Sequence, residues 1–202
     1  MAIQAAAHPA HQAGHEEGLS RGMAGMVLFI ASEIMLFGGL FAAYFFERSR
    51  NQANEWPPAG VHELEWFPLA LILTIILVLS GLVAHFGVVA AKSGNRQGLT
   101  LAMAVAIVMG TVFIIGQSFE WFSLMDEGLT AKSGVYGSTF FIMTGFHGAH
   151  VIAGIALLVV VFVRSLWVDF TPTRHLIVDA SVLYWHFVDL VWVFLYAVLY
   201  LT

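Results

Sequence analysis

Two histidines three residues apart lie in the middle of a long apolar run, in the stretch GFHGAH (145–150). At this spacing His147 and His150 lie near the same side of a helix. His186 and Asp189 repeat the spacing in another apolar run, and Glu33 lies alone in a third. Imidazole and carboxyl groups bind metals, relay protons or form buried hydrogen bonds between helices. All three chemistries are open at this point.

The elements that position these residues follow from the composition. The chain has 202 residues, of which 59% are hydrophobic and 10% charged, and its mean hydropathy is +0.84. So few charges do not cover the surface of a soluble domain, which indicates an integral membrane protein. A bilayer core takes about 20 apolar helical residues, and five segments meet this length. They predict an all-α bundle of five transmembrane helices within 23–202, with spans at 23–46, 67–91, 99–119, 135–163 and 176–201.

Several classes of site are excluded by residue usage. The absence of cysteine removes disulfides, thiolate metal sites and iron–sulfur clusters. The net charge is −5 and no basic block suggests nucleic acid as a partner. Residues 1–22 lack the hydrophobic centre of a signal peptide and are predicted to be a flexible cytoplasmic tail. Its three histidines are predicted to be solvated rather than metal-bound: His8, His11 and His15.

Lysine and arginine predict the orientation of the bundle. With a cytoplasmic N-terminus, five of the eight basic residues lie on the inner side and three on the outer side, which follows the positive-inside rule. Five spans then place the C-terminus outside. The inner residues are Arg21, Lys92, Arg96, Arg164 and Arg174, and the outer ones are Arg48, Arg50 and Lys132.

Three of the predicted spans carry an ionisable residue at similar depth. Glu33, His147 and His186 lie about 15–18 Å into their spans, at 1.5 Å per helical residue. A charge at this depth costs roughly 2.5–3.5 kcal/mol on insertion scales, so each needs a partner or a purpose. For the histidines we favour hydrogen bonds between helices over proton handling and over metal binding. For Glu33, proton handling and a structural role are supported equally.

Five stretches carry a resemblance to a known family. They are FIASEIMLFGGLFAAYF (29–45), WPPAGV (56–61), GQSFEW (116–121), SGVYGSTFFIMTGFHGAHVIAG (133–154) and YWHFVDLVWVFLYAVLYL (184–201). In this order they resemble subunit III of the haem–copper respiratory oxidases, specifically of the cytochrome c oxidase type. The chain looks like the shorter bacterial form, which lacks the first two of the seven helices of longer members.

The resemblance implies an accessory subunit without haem, copper or a catalytic centre of its own. Its partners would be subunit I, which holds the haem–copper oxygen-reducing centre, and subunit II, through which cytochrome c reaches the complex. The complex is an oxidoreductase and translocase that reduces oxygen to water and pumps protons. The chain would lie in a bacterial cell membrane with bound phospholipid, and would support assembly, sustained turnover and proton uptake.

Individual residues match the family's motifs. Glu33 matches its buried carboxylate, and Gln117 and Glu120 match a glutamine–glutamate pattern. The resemblance implies a buried polar network without metal, made of His147, His150, His186, Asp189 and Glu120. We expect His186 and Asp189 to be the partners of the first two histidines. The candidates for lipid-headgroup contacts are Arg174, His175 and Asp179.

Two alternative functions are kept. Within the family, the chain could serve a quinol oxidase, since the other subunits choose the electron donor. Outside it, a stand-alone proton transporter could be built on Glu33, His186 and Asp189.

Overall fold

The computed structural model describes residues 21–50, 56, 69–167, 170 and 175–201. In these ranges the chain forms helices and no strand. The helices are α1 (Arg21–Arg50), α2 (Leu71–Lys92), α3 (Arg96–Asp126), α4 (Val135–Trp167) and α5 (Leu176–Tyr200). Each is long and apolar enough to cross a membrane, which confirms the predicted all-α membrane bundle. Most of the predicted tail, including its three histidines, lies outside the described residues, and so does Arg174.

Three helices are longer than the predicted spans. The first begins at Arg21, inside the predicted tail, and continues to Arg50. The third runs from Arg96 to Asp126, and the fourth continues to Trp167. The apolar run fixes only the part of a helix that lies in hydrocarbon, whereas backbone hydrogen bonds continue through polar residues beyond it.

A tight turn makes α2 and α3 antiparallel neighbours. Gly94 has a φ of 73°, in the left-handed region that glycine adopts without a steric penalty. Asn95 then caps α3, because its side-chain oxygen accepts a hydrogen bond from the Gly98 backbone N–H at 2.9 Å. The local sequence SGNRQG therefore ends one helix and begins the next.

Helix α5 is the centre of the bundle and is held by tryptophan. Trp185 and Trp192 are fully buried. Their indole N–H groups donate to two hydroxyls of α2, with Trp185 Nε1 at 3.0 Å from Ser80 Oγ and Trp192 Nε1 at 2.9 Å from Thr74 Oγ1. Each buried indole nitrogen thus has the partner that it requires.

Glycine creates the space for Trp185 on α3 and α4. A Cβ at Gly110 would lie 2.7 Å from Trp185 Cη2, and one at Gly154 would lie 2.6 Å from Trp185 Cε3. Small residues of this kind allow membrane helices to approach closely. The indole of Trp185 is therefore enclosed by α2, α3 and α4.

Helix α1 lies at the edge of the bundle, against α4 and α5. Only Phe37 and Tyr44 of its residues are buried. The buried share of its membrane-crossing segment is 6%, against 61% for α5. Most of its surface is therefore open to lipid or to another chain.

Candidate functional site

Glu33 of α1 meets His150 of α4. Glu33 Oε2 lies 2.9 Å from His150 Nε2, and the two side chains are 17% and 13% exposed. The ring of Phe37 covers the imidazole edge-on at 5.0 Å between centroids. The Tyr184 hydroxyl donates to the backbone carbonyl of His150 at 3.3 Å. An apolar helix face thus holds one shielded carboxyl–imidazole contact.

The hydrogen bond made by the second ring nitrogen of His150 determines which of its nitrogens carries a hydrogen. His150 Nδ1 lies 2.7 Å from the Phe146 carbonyl oxygen. A carbonyl only accepts, so Nδ1 carries the hydrogen, and in the neutral ring Nε2 carries none. The hydrogen bond between Nε2 and Glu33 then contains one proton, which lies either on the carboxyl or on the ring. The pair is therefore chemically able to hold and exchange a single proton.

His147 lies in a different environment from His150. Its ring is fully buried, and neither nitrogen has a hydrogen-bond partner among the described residues. It packs as an aromatic ring, with Trp192 at 5.0 Å and Phe113 perpendicular to it at 5.9 Å. The expected hydrogen bonds from the α4 histidines to His186 and Asp189 are not present. Residues three apart differ in direction by about 60° around a helix, so one histidine faces the core while the other faces α1.

His186 and Asp189 belong instead to the contact between α5 and α2. His186 Nδ1 lies 3.7 Å from Asp189 Oδ2. Asp189 fits against Gly81, where a Cβ would collide with its carboxyl group, and its Oδ1 is buried without a hydrogen-bond partner among the described residues. The ring of His85 lies 6.0 Å from that of His186. Sequence reasoning assigned no role to His85, although it also lies within an apolar span.

Glu120 lies in a third contact, between α3 and α5. The Tyr200 hydroxyl donates to Glu120 Oε1 at 2.7 Å. Gln117, one turn earlier, is also buried, and its amide has no hydrogen-bond partner in the described part of the chain. Sequence reasoning did not identify Tyr200 as the partner. The signal was present, because Tyr196 and Tyr200 recur at helical spacing beyond Asp189.

The expected buried network is thus three separate contacts, which join α1 to α4, α2 to α5 and α3 to α5. Within the described ranges, no hydrogen bond or ion pair links one contact to another. The same residues contain no group of three or more His, Cys, Asp or Glu that could hold a metal ion. What the geometry offers is a proton-sharing pair and two further polar contacts between helices.

A polar cluster lies at the N-terminal end of α5. Asp179 Oδ2 lies 3.1 Å from His175 Nε2, and Asp179 Oδ1 lies 3.5 Å from Lys92 Nζ. The salt bridge places the end of α2 and the beginning of α5 on the same side of the bundle. Two of the three headgroup candidates are therefore adjacent, and their binding to lipid stays a prediction.

Five apolar helices joined by buried polar contacts define a multi-pass membrane protein. The family model for Cytochrome c oxidase subunit III matches residues 1–202, and the chain belongs to this family. It is 43% identical over 176 residues to cytochrome c oxidase subunit 3 of Corynebacterium diphtheriae, covering 87% of this chain and 85% of the relative. The resemblance based on the motifs is thereby confirmed.

Other relatives support the same family. A probable cytochrome c oxidase subunit 3 from Nocardia farcinica is 40% identical over 176 residues, covering 87% of this chain and 85% of the relative. Cytochrome c oxidase subunit 3 of Damaliscus lunatus is 40% identical over 194 residues, covering 94% of this chain and 73% of the relative. These relatives are named as subunits of an oxidase, which is an oxidoreductase complex.

Proposed function

We propose that this chain is an accessory subunit III of a proton-pumping cytochrome c oxidase and has no redox or catalytic centre of its own. The observation that carries the proposal is where the carboxyl groups within the helices lie. Glu33, Glu120 and Asp189 each lie at a contact between two helices rather than around a common cavity. Such contacts stabilise a helix bundle and are not arranged to bind a cofactor.

The proposed partners are subunit I, which would hold the haem–copper oxygen-reducing centre, and subunit II, through which cytochrome c would deliver electrons. The complex would lie in a bacterial cell membrane. The N-terminus and residues 1–22 would be cytoplasmic, residues 23–202 would form the transmembrane domain, and the C-terminus would be outside. The distribution of Lys and Arg supports this orientation.

The contributions we propose are to assembly, sustained turnover and proton uptake. The Glu33–His150 contact supports the last two, because it holds one exchangeable proton inside an apolar surface. Assembly is supported by the large exposed apolar area of α1, which another membrane component can cover. At the cytoplasmic end, His175 and Asp179, with Arg174, would bind phospholipid headgroups.

The alternatives have less support. A stand-alone proton transporter would need a path connecting Glu33, His186 and Asp189, whereas these residues lie in two separate contacts in the described structure. A quinol oxidase differs in the subunits that bind the donor, and the relatives named above are all of the cytochrome c type.

The proposal is tested by purifying the tagged chain from its native membrane in mild detergent. We expect two larger chains to copurify and haem bands to appear in the reduced-minus-oxidised visible spectrum. Metal analysis should assign iron and copper to the larger chains after they are separated from this one. Membranes containing the untagged chain serve as the control. A colourless single chain, obtained under conditions that preserve oxidase activity and conducting protons in vesicles, would favour the transporter.

A further inference from the structure

Two imidazoles lie side by side on the outer surface of the bundle, where α2 and α5 meet. His85 is exposed, and the side chain of His186 is 40% exposed. Their ring centroids are 6.0 Å apart. We call these two residues the α2–α5 histidine face. Its neighbours one turn away, Leu82 and Leu183, are exposed and apolar.

The salt bridge at the end of these helices gives the depth of the histidine face. Lys92 and Asp179 are paired across α2 and α5. His85 precedes Lys92 by seven residues, and His186 follows Asp179 by seven residues. At 1.5 Å per residue, both rings lie about 10 Å from the charged end. In a hydrocarbon core about 30 Å thick, this is well below the headgroups.

The imidazole nitrogens of the histidine face have no ordinary hydrogen-bond partner within the described part of the chain. Apart from each other, the two rings have one polar side chain beside them in the described ranges, that of Asp189, whose Oδ2 lies 3.7 Å from His186 Nδ1, longer than an ordinary hydrogen bond. Other exposed polar side chains in the spans bond to their own helix: Thr111 donates to Ile107 O and Ser118 donates to Ile114 O, both at 2.8 Å. Unpaired polar groups in hydrocarbon are costly.

We infer that the α2–α5 histidine face docks against a transmembrane helix of a partner subunit that presents a hydroxyl, amide or carboxyl group at this depth. The inference rests on the proposed function, in which this chain works inside a complex. His186 Nδ1 faces Asp189, so Nε2 is the nitrogen available to the partner. Asp189 is a positioning residue, and Gly81 allows it to lie close to α2.

The depth and the chemistry of this surface favour a partner helix over other occupants. A phospholipid headgroup would have to descend about 10 Å into the hydrocarbon to reach the rings. A second copy of this chain would bring two further imidazoles to face the first two. A partner helix with an oxygen acceptor satisfies an imidazole N–H directly, and its apolar surface covers the leucines around the rings.

The test uses photo-crosslinking in the intact complex with the native histidines retained. A photoreactive residue is placed at Leu82 or Leu183, and at Ile152 of α4 as a matched control, since that side chain is also exposed and apolar. We expect Leu82 and Leu183 to crosslink to one larger copurifying chain, at a yield about tenfold above that of Ile152. Crosslinks only to lipid, or to a second copy of this chain, would overturn the inference.

A second measurement isolates the hydrogen bond. With His186→Leu, we expect the fraction of the larger chain retained through a detergent wash to fall about tenfold, and His186→Gln should restore most of it. Equal retention for both variants and the parent would contradict a hydrogen-bonded contact. Failure of the proposed function is distinguishable, because the parent chain would then copurify with no haem-containing partner at all.

Discussion

Helices α1 and α5 are both apolar enough to cross a membrane, but they are attached to the bundle in opposite ways. Helix α5 buries 61% of its membrane-crossing segment and α1 buries 6%. The central helix is held by close packing, with Trp185 enclosed between Gly110 and Gly154. The peripheral helix is held at a few points, through Glu33–His150 and the buried rings of Phe37 and Tyr44.

The positions of the two helices therefore depend on different kinds of residue contact. Along α5, steric fit determines the fold, and substitution is expected to damage the whole bundle. Along α1, a few polar and aromatic contacts determine where the helix lies, and most other positions face outward. Local stability is therefore expected to be lowest at α1.

The largest effect is expected for Trp185→Ala. The substitution leaves a cavity between three helices and leaves Ser80 without the indole donor. Truncation of a buried Trp typically costs about 3–5 kcal/mol. Thermal unfolding of the purified complex should show a large decrease in midpoint or loss of assembly. Leu101→Ala, at a side chain of α3 that is 67% exposed, is the control and should change stability by less than about 0.5 kcal/mol.

Added volume at the core should be the next most damaging change. In Gly110→Ala the new Cβ would lie 2.7 Å from Trp185 Cη2, so the indole must move. Overpacking of this kind costs roughly 1–3 kcal/mol. The matched control is Gly39→Ala on α1, where a Cβ meets no atom within 4 Å. If both alanine variants unfold at the same temperature, the contrast between the two helices is not steric.

Two substitutions of Glu33 separate the contribution of its hydrogen bond to His150 from that of its exchangeable proton. Glu33→Gln keeps a side-chain donor for His150 Nε2 but removes the exchangeable proton, whereas Glu33→Leu removes both. We expect Leu to cost about 1–3 kcal/mol and Gln to cost less. Accessibility of a cysteine introduced in α1 reports whether the helix detaches.

The same variants separate structure from proton handling. Oxygen consumption should continue in both, because the proposed redox centres lie in other chains. A Gln variant that is as stable as the parent but loses activity during prolonged turnover would assign the proton itself to sustained turnover. Complete loss of turnover in an assembled Gln complex would contradict the accessory role.

The smallest effect is expected for Tyr44→Phe. The Tyr44 hydroxyl accepts from Trp56 Nε1 at 2.9 Å and donates to the Val198 carbonyl at 3.3 Å. The aromatic ring and its burial are retained, and the bond to Val198 is long, so the two hydrogen bonds together are worth about 1 kcal/mol. The decrease in the unfolding midpoint should be small and should be accompanied by greater exposure of the α1 C-terminal end to protease. A decrease as large as that of Trp185→Ala would remove the distinction between edge and centre.

The number and type of the helices could be predicted from hydropathy, because length and apolar composition dictate helices in a bilayer. Hydropathy could not predict which polar residues contact one another. Spacing placed His147 and His150 near one side of α4, but their surroundings depend on how α4 is rotated against its neighbours. That rotation is fixed by contacts such as Trp185 at Gly154, which join residues distant in sequence. His85 illustrates the same limit, since only the packing of α2 against α5 brings it beside His186.

The separation of Glu33 from His150 also has a consequence during synthesis. The two residues are 117 positions apart in the chain. A ribosome adding about 5–20 residues per second needs on the order of ten seconds to make the intervening segment. During that interval the first helix has left the ribosome while its imidazole partner does not yet exist. Until the fourth helix is made, Glu33 therefore lies in an apolar helix without its imidazole partner.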